Sequence, residues 1–252
     1  MIKIHKTSKL CLIDLSYYIF YRYFALKKWM SFSEVELTDE ELLEKFEKLF
    51  ISNLKKTCKQ LKVSPCNTIL IGDCMRAEIW RNCHYPDYKK FRESVIDPKV
   101  FPRVYDTIIP NLKEFQFLTI PELEADDICF VLSKYLDNEI VILTNDNDYL
   151  QMMSNTVNIV NLPAYKSICE RCNNSAKEGL LNKVLIGDPS DNISGIMSKR
   201  IAKTLIQDEK LLFNYLKEHN LEEKYNLNMM LIDMNNIPLN LKQKVIDMLT
   251  FE

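Results

Sequence analysis

Short β-rich apolar runs, each ending at an aspartate, constrain this chain more than any other feature. LCLID ends at Asp14, TILIGD ends at Asp73, and EIVILT is followed, after Asn145, by Asp146 and Asp148. Apolar runs of this length, bounded by polar residues, read as strands buried on both faces. Helix-period segments separate them and no hairpin signal intervenes, which predicts an α/β fold with a doubly wound, mostly parallel sheet. In open sheets of this kind ligands bind outside the carboxyl ends of the strands. The aspartates are therefore expected to converge on one crevice.

ELEADDICFVLSKYL brings Glu122, Glu124, Asp126 and Asp127 to the start of an amphipathic helix whose stripe is Ile128, Val131, Leu132 and Tyr135. Glu124 and Asp127 are three apart and share a face. Helix-start chemistry explains two of these acids, since first-turn carboxylates complement the dipole and cap free N–H groups. It leaves the others unexplained. Asp188 and Asp191 in NKVLIGDPSD bring the set to ten. Ten carboxylates in one crevice repel each other unless cations hold them together, so a divalent-metal site is predicted. All-oxygen ligands favour Mg²⁺, with Mn²⁺ as a substitute.

The formal net charge of −2 looks unsuited to a polyanionic partner. With the ten crevice acids set aside, 25 acidic residues face 33 Lys and Arg, and the body of the molecule is basic by about 8. Such a body around a metal-neutralised crevice suits a phosphate-chain substrate. No apolar run approaches a membrane span and MIKIHKTSKL has no signal-peptide core, so a cytoplasmic or nuclear setting is expected. The eight cysteines lack a disulfide-scaffold spacing. Cys169 and Cys172 form a C-x-x-C, but no second ligand pair follows at zinc-site spacing.

In chain order, the pattern predicts a strand over 9–15, a helix from Ser16, a loop over 31–38, and a long helix over 39–61 with core stripe Leu42, Phe46, Leu49, Phe50 and Leu54. A strand over 68–72 follows. The stretch CMRAEIWRNCHYPDYKKFRESV then interleaves Arg76, Arg81, Lys89, Lys90 and Arg92 with Trp80, Tyr85, Tyr88 and Phe91. Cations grip phosphates and aromatic faces stack on unpaired bases. A surface helix with snorkelling cations is the plainer alternative. Further on come a proline-broken helix over 99–115, strands over 117–120 and 139–143, a helix containing Tyr149 to Met153, and an edge strand over 157–162. From residue 175 only helices are expected. KEGLLNKVLIG and KRIAKTLIQ flank the turn PSDNISGIMS, where Gly195 permits close backbone approach and Lys199, Arg200 and Lys203 open the next helix. Two or three more helices complete the chain.

These motifs, in order, closely resemble the 5′-nuclease superfamily: phage 5′-exonucleases, the phage ribonuclease H group, the 5′-nuclease domains of bacterial DNA polymerase I, and flap endonucleases. The matching residues are Asp14, Asp73 followed by R…YPDYKKFR, EADD at 124–127, T-x-D-x-D at 144–148, and GDPSDNISGI at 187–196. The wording is closer to phage or viral members than to cellular flap endonucleases. The resemblance implies a PIN-like α/β domain over 1–174 with a helical arch at about 75–110, and a duplex-binding helix-three-turn-helix region over 175–252. It assigns Asp14, Asp73, Glu124, Asp126 and Asp127 to one Mg²⁺, and Asp146, Asp148 and Asp188, with Asp191 nearby, to a second. Lys89 and Arg92 fall where the arch carries its catalytic cations. Arg81, Tyr88, Lys90, Gly195, Lys199, Arg200 and Lys203 become DNA contacts, and a K⁺ ion often sits at the turn. The chain departs from the family at Leu15, Gly72-Asp73-Cys74 and Gly195-Ile196-Met197, and loses no metal-ligand acid.

The function implied is a structure-selective 5′ nuclease that cuts flaps and degrades from 5′ ends by two-metal hydrolysis, in replication, repair or recombination. Its partners would be DNA with a 5′ flap, a nick or a free 5′ end, with RNA–DNA hybrids a further candidate and no membrane. A PIN-type ribonuclease and a non-catalytic junction-binding protein are the alternatives. Neither a P-loop nor a dinucleotide fingerprint is present.

Overall fold

The computed structural model describes residues 1–93, 95–171 and 176–252. Cys172 and the predicted boundary at 174/175 lie outside the described residues. β2 (Leu10–Asp14), β3 (Thr68–Ile71), β4 (Gln116–Leu118), β5 (Ile140–Leu143), β6 (Val157–Asn161) and β7 (Lys166–Ser167) form a six-stranded sheet in the order β4-β3-β2-β5-β6-β7. Pairing is parallel as far as β6. β7 folds back antiparallel on β6, so β6 is not the edge strand expected and a short hairpin exists that the turn residues did not signal.

Alternation along the strands supplies two apolar faces. Leu10 and Leu12 of β2 join one core with Ile69, Ile71, Ile140 and Ile142. Cys11 and Ile13 face the other with Leu70, Val141 and Leu143. The first core is covered by α5 (Ala125–Tyr135) and α10 (Leu239–Asp247). The second is covered by α1 (Leu15–Ser33) and α2 (Asp39–Leu61). Each fully buried Leu, Ile or Phe here contributes roughly 1.5–3 kcal/mol.

Local chemistry sets the helix ends. α2 starts at a reciprocal capping box between Thr38 and Glu41. Its stripe is buried except for Leu49, which is exposed at the solvent edge. Tyr135 likewise lies on the exposed side of α5. α1 begins directly at the end of β2, and its cap is Asp14 rather than Ser16: the Asp14 carboxylate accepts from Tyr17 N at 3.0 Å.

The segment after β3 departs most from expectation. In place of a helix there are 3₁₀ turns at Arg76–Glu78 and Trp80–Cys83, followed by irregular turns. Helix resumes as α3 (Val100–Pro102), a π turn (Arg103–Ile108) and α4 (Ile109–Asn111). Pro110 has no N–H to return, and Ile109 N–H reaches back five residues to the Val104 carbonyl, which fits the widened turn.

α6 (Ala176–Ile186), α7 (Lys199–Leu205), α8 (Glu209–Glu218) and α9 (Glu222–Ile232) share a third core, which also takes in Ile79 and Tyr88 from the segment after β3. Between α6 and α7, β8 (Gly187–Asp188) and β9 (Ile193–Ser194) form a tight hairpin. A Cβ on Gly195 would meet the Ile186 carbonyl oxygen at 2.5 Å. The close approach that this glycine permits is thus internal. β1 (Ile2–Ile4) and β10 (Leu249–Phe251) pair in parallel and join the two ends of the chain, a pairing no pattern had indicated. Among the described residues no helix is long and apolar enough to cross a membrane.

Candidate metal centre

The carboxyl ends of β2, β3 and β5 bring Asp14, Asp73 and Asp146 to one cavity of about 880 Å³, where Glu124 and Asp126 meet them from the start of α5. Each is held in place. Asp14 Oδ2 accepts from the Thr144 hydroxyl at 2.9 Å. Asp73 accepts from Ser16 Oγ at 2.6 Å and from Ala125 N at 2.8 Å, so it occupies the free N–H end of α5. Asp126 accepts from Asp127 N at 2.8 Å.

Two carboxylate groups emerge. Glu124, Asp126 and Asp127 offer oxygens within 4.8 Å of one another, and so do Asp148, Asp188 and Asp191. Asp146 lies between, lining both the first cavity and a second of about 600 Å³ beside α6. Glu122 stands apart, with φ at 72° and an ion pair to Lys244 at 2.6 Å.

The cations are distributed less evenly than their spacing suggests. Arg81 is buried and binds Asp127 through Nη1 (2.8 Å) and Nη2 (2.7 Å), Glu124 through Nη1 (3.1 Å), and the Leu231 carbonyl through Nε (2.8 Å). Trp80 Nε1 also donates to Asp127, at 3.0 Å. Asp127 thus meets four donors and is closed to solvent, so it anchors Arg81 while its carboxylate still lies within the first group. Tyr88 is buried too, its hydroxyl 2.9 Å from Glu124 and 3.2 Å from Asp191. Arg81 and Tyr88 therefore lack the exposed surface that a DNA contact requires. Their aromatic–cation spacing signalled a binding face, whereas the backbone turns it inward.

Lys89 Nζ stands between the two groups, 2.5 Å from Glu124 and 3.6 Å from Asp191, with its backbone at φ 53°. Arg92 lines the first cavity, and Lys90 lies outside, paired with Asp87. Lys199, Arg200 and Lys203 are exposed on α7. Sequence reasoning overlooked Lys183. From α6 it pairs with Asp148 and, at 2.6 Å, with Asp188. Its position five residues before Asp188, on a helix ending two residues short of that acid, was the available signal.

Proton affinities follow these surroundings. Burial, reinforced by the neighbouring Asp73 charge, pushes Asp14 up to about 7. Burial and then the charges of Asp127 and Glu124 hold Asp126 well above the carboxylate range. Burial also raises Asp148 and Asp191. Burial would raise Glu124 as well, but the charges of Lys89 and Arg81 outweigh it and its pKa is lowered. Lys183 does the same against burial for Asp188. The crevice is thus an excess of hard oxygen donors, several of which ionise reluctantly until more positive charge arrives.

The chain matches the family described as 5′-3′ exonuclease, N-terminal resolvase-like domain, over residues 9–182. It is 30% identical over 233 residues to a 5′-3′ exonuclease of Buchnera aphidicola, covering 88% of this chain and 74% of that protein. It is 28% identical over 174 residues to the thermostable DNA polymerase I of Thermus thermophilus, covering 65% of this chain but 21% of the polymerase. In fold it is similar to the phage T5 5′-exonuclease with bound zinc, with a TM-score of 0.67 and 16% identity over 95% of this chain and 97% of that one. A complex of the T5 flap endonuclease with DNA and metal ions gives a TM-score of 0.63, 16% identity and the same coverage. The family match over most of the chain and the acids gathered at the strand ends lead to one conclusion: this protein belongs to the 5′-3′ exonuclease family and is a nuclease.

Proposed function

We propose that this nuclease hydrolyses DNA phosphodiesters at 5′ flaps, nicks or free 5′ ends, using two divalent ions, Mg²⁺ in the first instance. The observation that carries this reading is the pair of carboxylate groups meeting across Lys89. The donor set fits: hard oxygens on both sides, with neither histidine nor cysteine in either group. Asp14, Asp73, Glu124 and Asp126 would hold one ion; Asp146, Asp148, Asp188 and Asp191 would hold the other. When bound, the ions supply Lewis-acid polarisation and a water of lowered pKa. The protein's own groups orient and neutralise. Thr144, Ser16 and the first free N–H of α5 fix the directions of Asp14 and Asp73. Lys89 and Arg92 bring positive charge to the cavity where a phosphate would gather negative charge.

The region from residue 176 onward would bind duplex through Lys199, Arg200 and Lys203, with K⁺ at the β8–β9 turn as part of the same reading. The test uses 5′-labelled flap, nicked, blunt duplex and RNA–DNA hybrid substrates with Mg²⁺, Mn²⁺ or EDTA. Metal-dependent release of 5′ products from flap or nicked DNA is expected. Cutting of single-stranded RNA alone would replace this reading with a PIN-type ribonuclease, and binding to flaps without cutting would replace it with a junction-binding protein.

A further inference from the structure

The second cavity, about 600 Å³ between the β5–β6 connection and α6, holds Asp146, Asp148, Asp188 and Lys183, and its wall includes Arg171. Arg171 is exposed and forms no ion pair among the described residues. It is nevertheless fixed. Nη1 donates to the Asn145 carbonyl at 3.3 Å and to Asn147 Oδ1 at 3.1 Å, and Nη2 donates to Asn145 Oδ1 at 2.8 Å. Asn145 is held in turn by Asn161 Nδ2 of β6 at 3.1 Å.

Asn145 and Asn147 alternate in sequence with Asp146 and Asp148, so one short segment carries both the acids and the amides that hold the arginine. A guanidinium has five N–H groups, and three are taken. Nε–H donates to nothing among the described residues, and the Nε–Nη2 edge of a guanidinium matches two phosphate oxygens. A long cationic side chain normally loses conformational entropy when it grips an anion; this one is already ordered. The acids of the cavity repel a phosphodiester strand, so an oriented cation with no ion pair among the described residues has an evident use on its wall. Gly179 leaves the facing wall of α6 open, since a Cβ there would meet nothing within 4 Å.

We propose that Arg171 is a phosphate contact for a nucleic-acid strand lying in this groove. The inference rests on the nuclease reading above and extends it to a wall of the site to which neither motif nor spacing assigned a role. The test measures affinity for a 5′-flap duplex across a salt series, with Ca²⁺ replacing Mg²⁺, for the wild type, Arg171→Ala and Arg171→Lys. Arg171→Ala should weaken binding about tenfold and flatten the slope of log K against log salt by roughly 0.9, the value for one phosphate no longer neutralised. Arg171→Lys should restore the slope but not the full affinity, because it keeps the charge and loses the fork. Titration with Mn²⁺ alone, and thermal unfolding, should be the same for all three proteins. An unchanged slope in Arg171→Ala, or weakened Mn²⁺ binding with the slope intact, overturns the proposal; the latter would make Arg171 a support for the acidic segment. If the wild type binds no flap duplex at all, the nuclease reading fails with it.

Discussion

The two carboxylate groups are built in opposite ways. Glu124 and its neighbours are walled in by buried partners: Arg81, Trp80 and Tyr88 reach them from the segment after β3, and Arg81 also grips the end of α9. Asp148 and Asp188 share a single lysine on the rim of an open groove, and Asp146 is exposed. The first group is therefore tied into the folding scaffold by several partners, whereas Asp146 and Asp148 meet few, although Asp188 and Asp191 are about as buried as Glu124. Buried ion pairs are costly to break singly, whereas pairs near solvent contribute little. Stability and activity should separate along this line.

The largest effect is expected at the second group. Asp146→Asn with Asp148→Asn should reduce cleavage by on the order of 10³ or more, since removing a metal site takes away several kcal/mol of transition-state stabilisation. Flap binding should stay within a few-fold and unfolding should be nearly unchanged. Single-turnover rates beside equilibrium binding check this, and near wild-type turnover would remove these residues from the metal site.

Next comes the contrast in stability. Arg81→Ala leaves buried Asp127 without its main partner, strips Glu124 of its second cation after Lys89, and should destabilise the metal-free protein by about 3–5 kcal/mol. Lys183→Ala, whose amine is partly exposed, should lose less, about 1–2 kcal/mol. Urea unfolding of both variants decides it, and equal losses would erase the distinction between the two groups.

A pH dependence sharpens the same comparison. Burial and Asp73 raise Asp14 to about 7, above its unfolded value of roughly 3.9. The native state then holds more protons than the unfolded state between these values, so metal-free stability from this group falls as pH rises from about 4 to 7. Asp14→Asn removes that penalty. In EDTA at pH 8 its Tm should exceed the wild type's by a few degrees, roughly 2–4 °C for each kcal/mol relieved. The gap should close near pH 4 and reverse when divalent metal is added. A gap independent of pH would show that Asp14 is ionised throughout.

The smallest effect concerns α7. Lys199→Ala with Lys203→Ala should flatten the salt dependence of duplex binding by roughly 0.9 for each phosphate no longer neutralised, without changing sequence preference. An unchanged slope would separate this helix from the DNA.

Much of the architecture was legible because it rests on short-range periodicity. Two-faced apolar strands alternating with helix-period segments leave few topologies, and Asp14, Asp73 and Asp146 follow strands whose parallel order carries them to one edge. The segment after β3 was not legible. Its cations and aromatics have no single period, and its path depends on 3₁₀ turns and on bonds to the hairpin region, where Lys89 N donates to the Asp191 carbonyl at 3.0 Å.

The sequence by itself determined the α/β class, the order of the central parallel strands and the gathering of acids at the strand ends, since these follow from residue type and local spacing. Only the tertiary structure decided which cations meet which acids: Arg81 inward on Asp127, Lys89 between the two groups, Lys183 on Asp148 and Asp188, and Arg171 held by two asparagines. It also decided that β1 and β10 join the chain ends. Long cationic side chains reach partners distant in sequence, and three-residue strands carry too little pattern to announce their pairing. Both are settled by where the packed core leaves room.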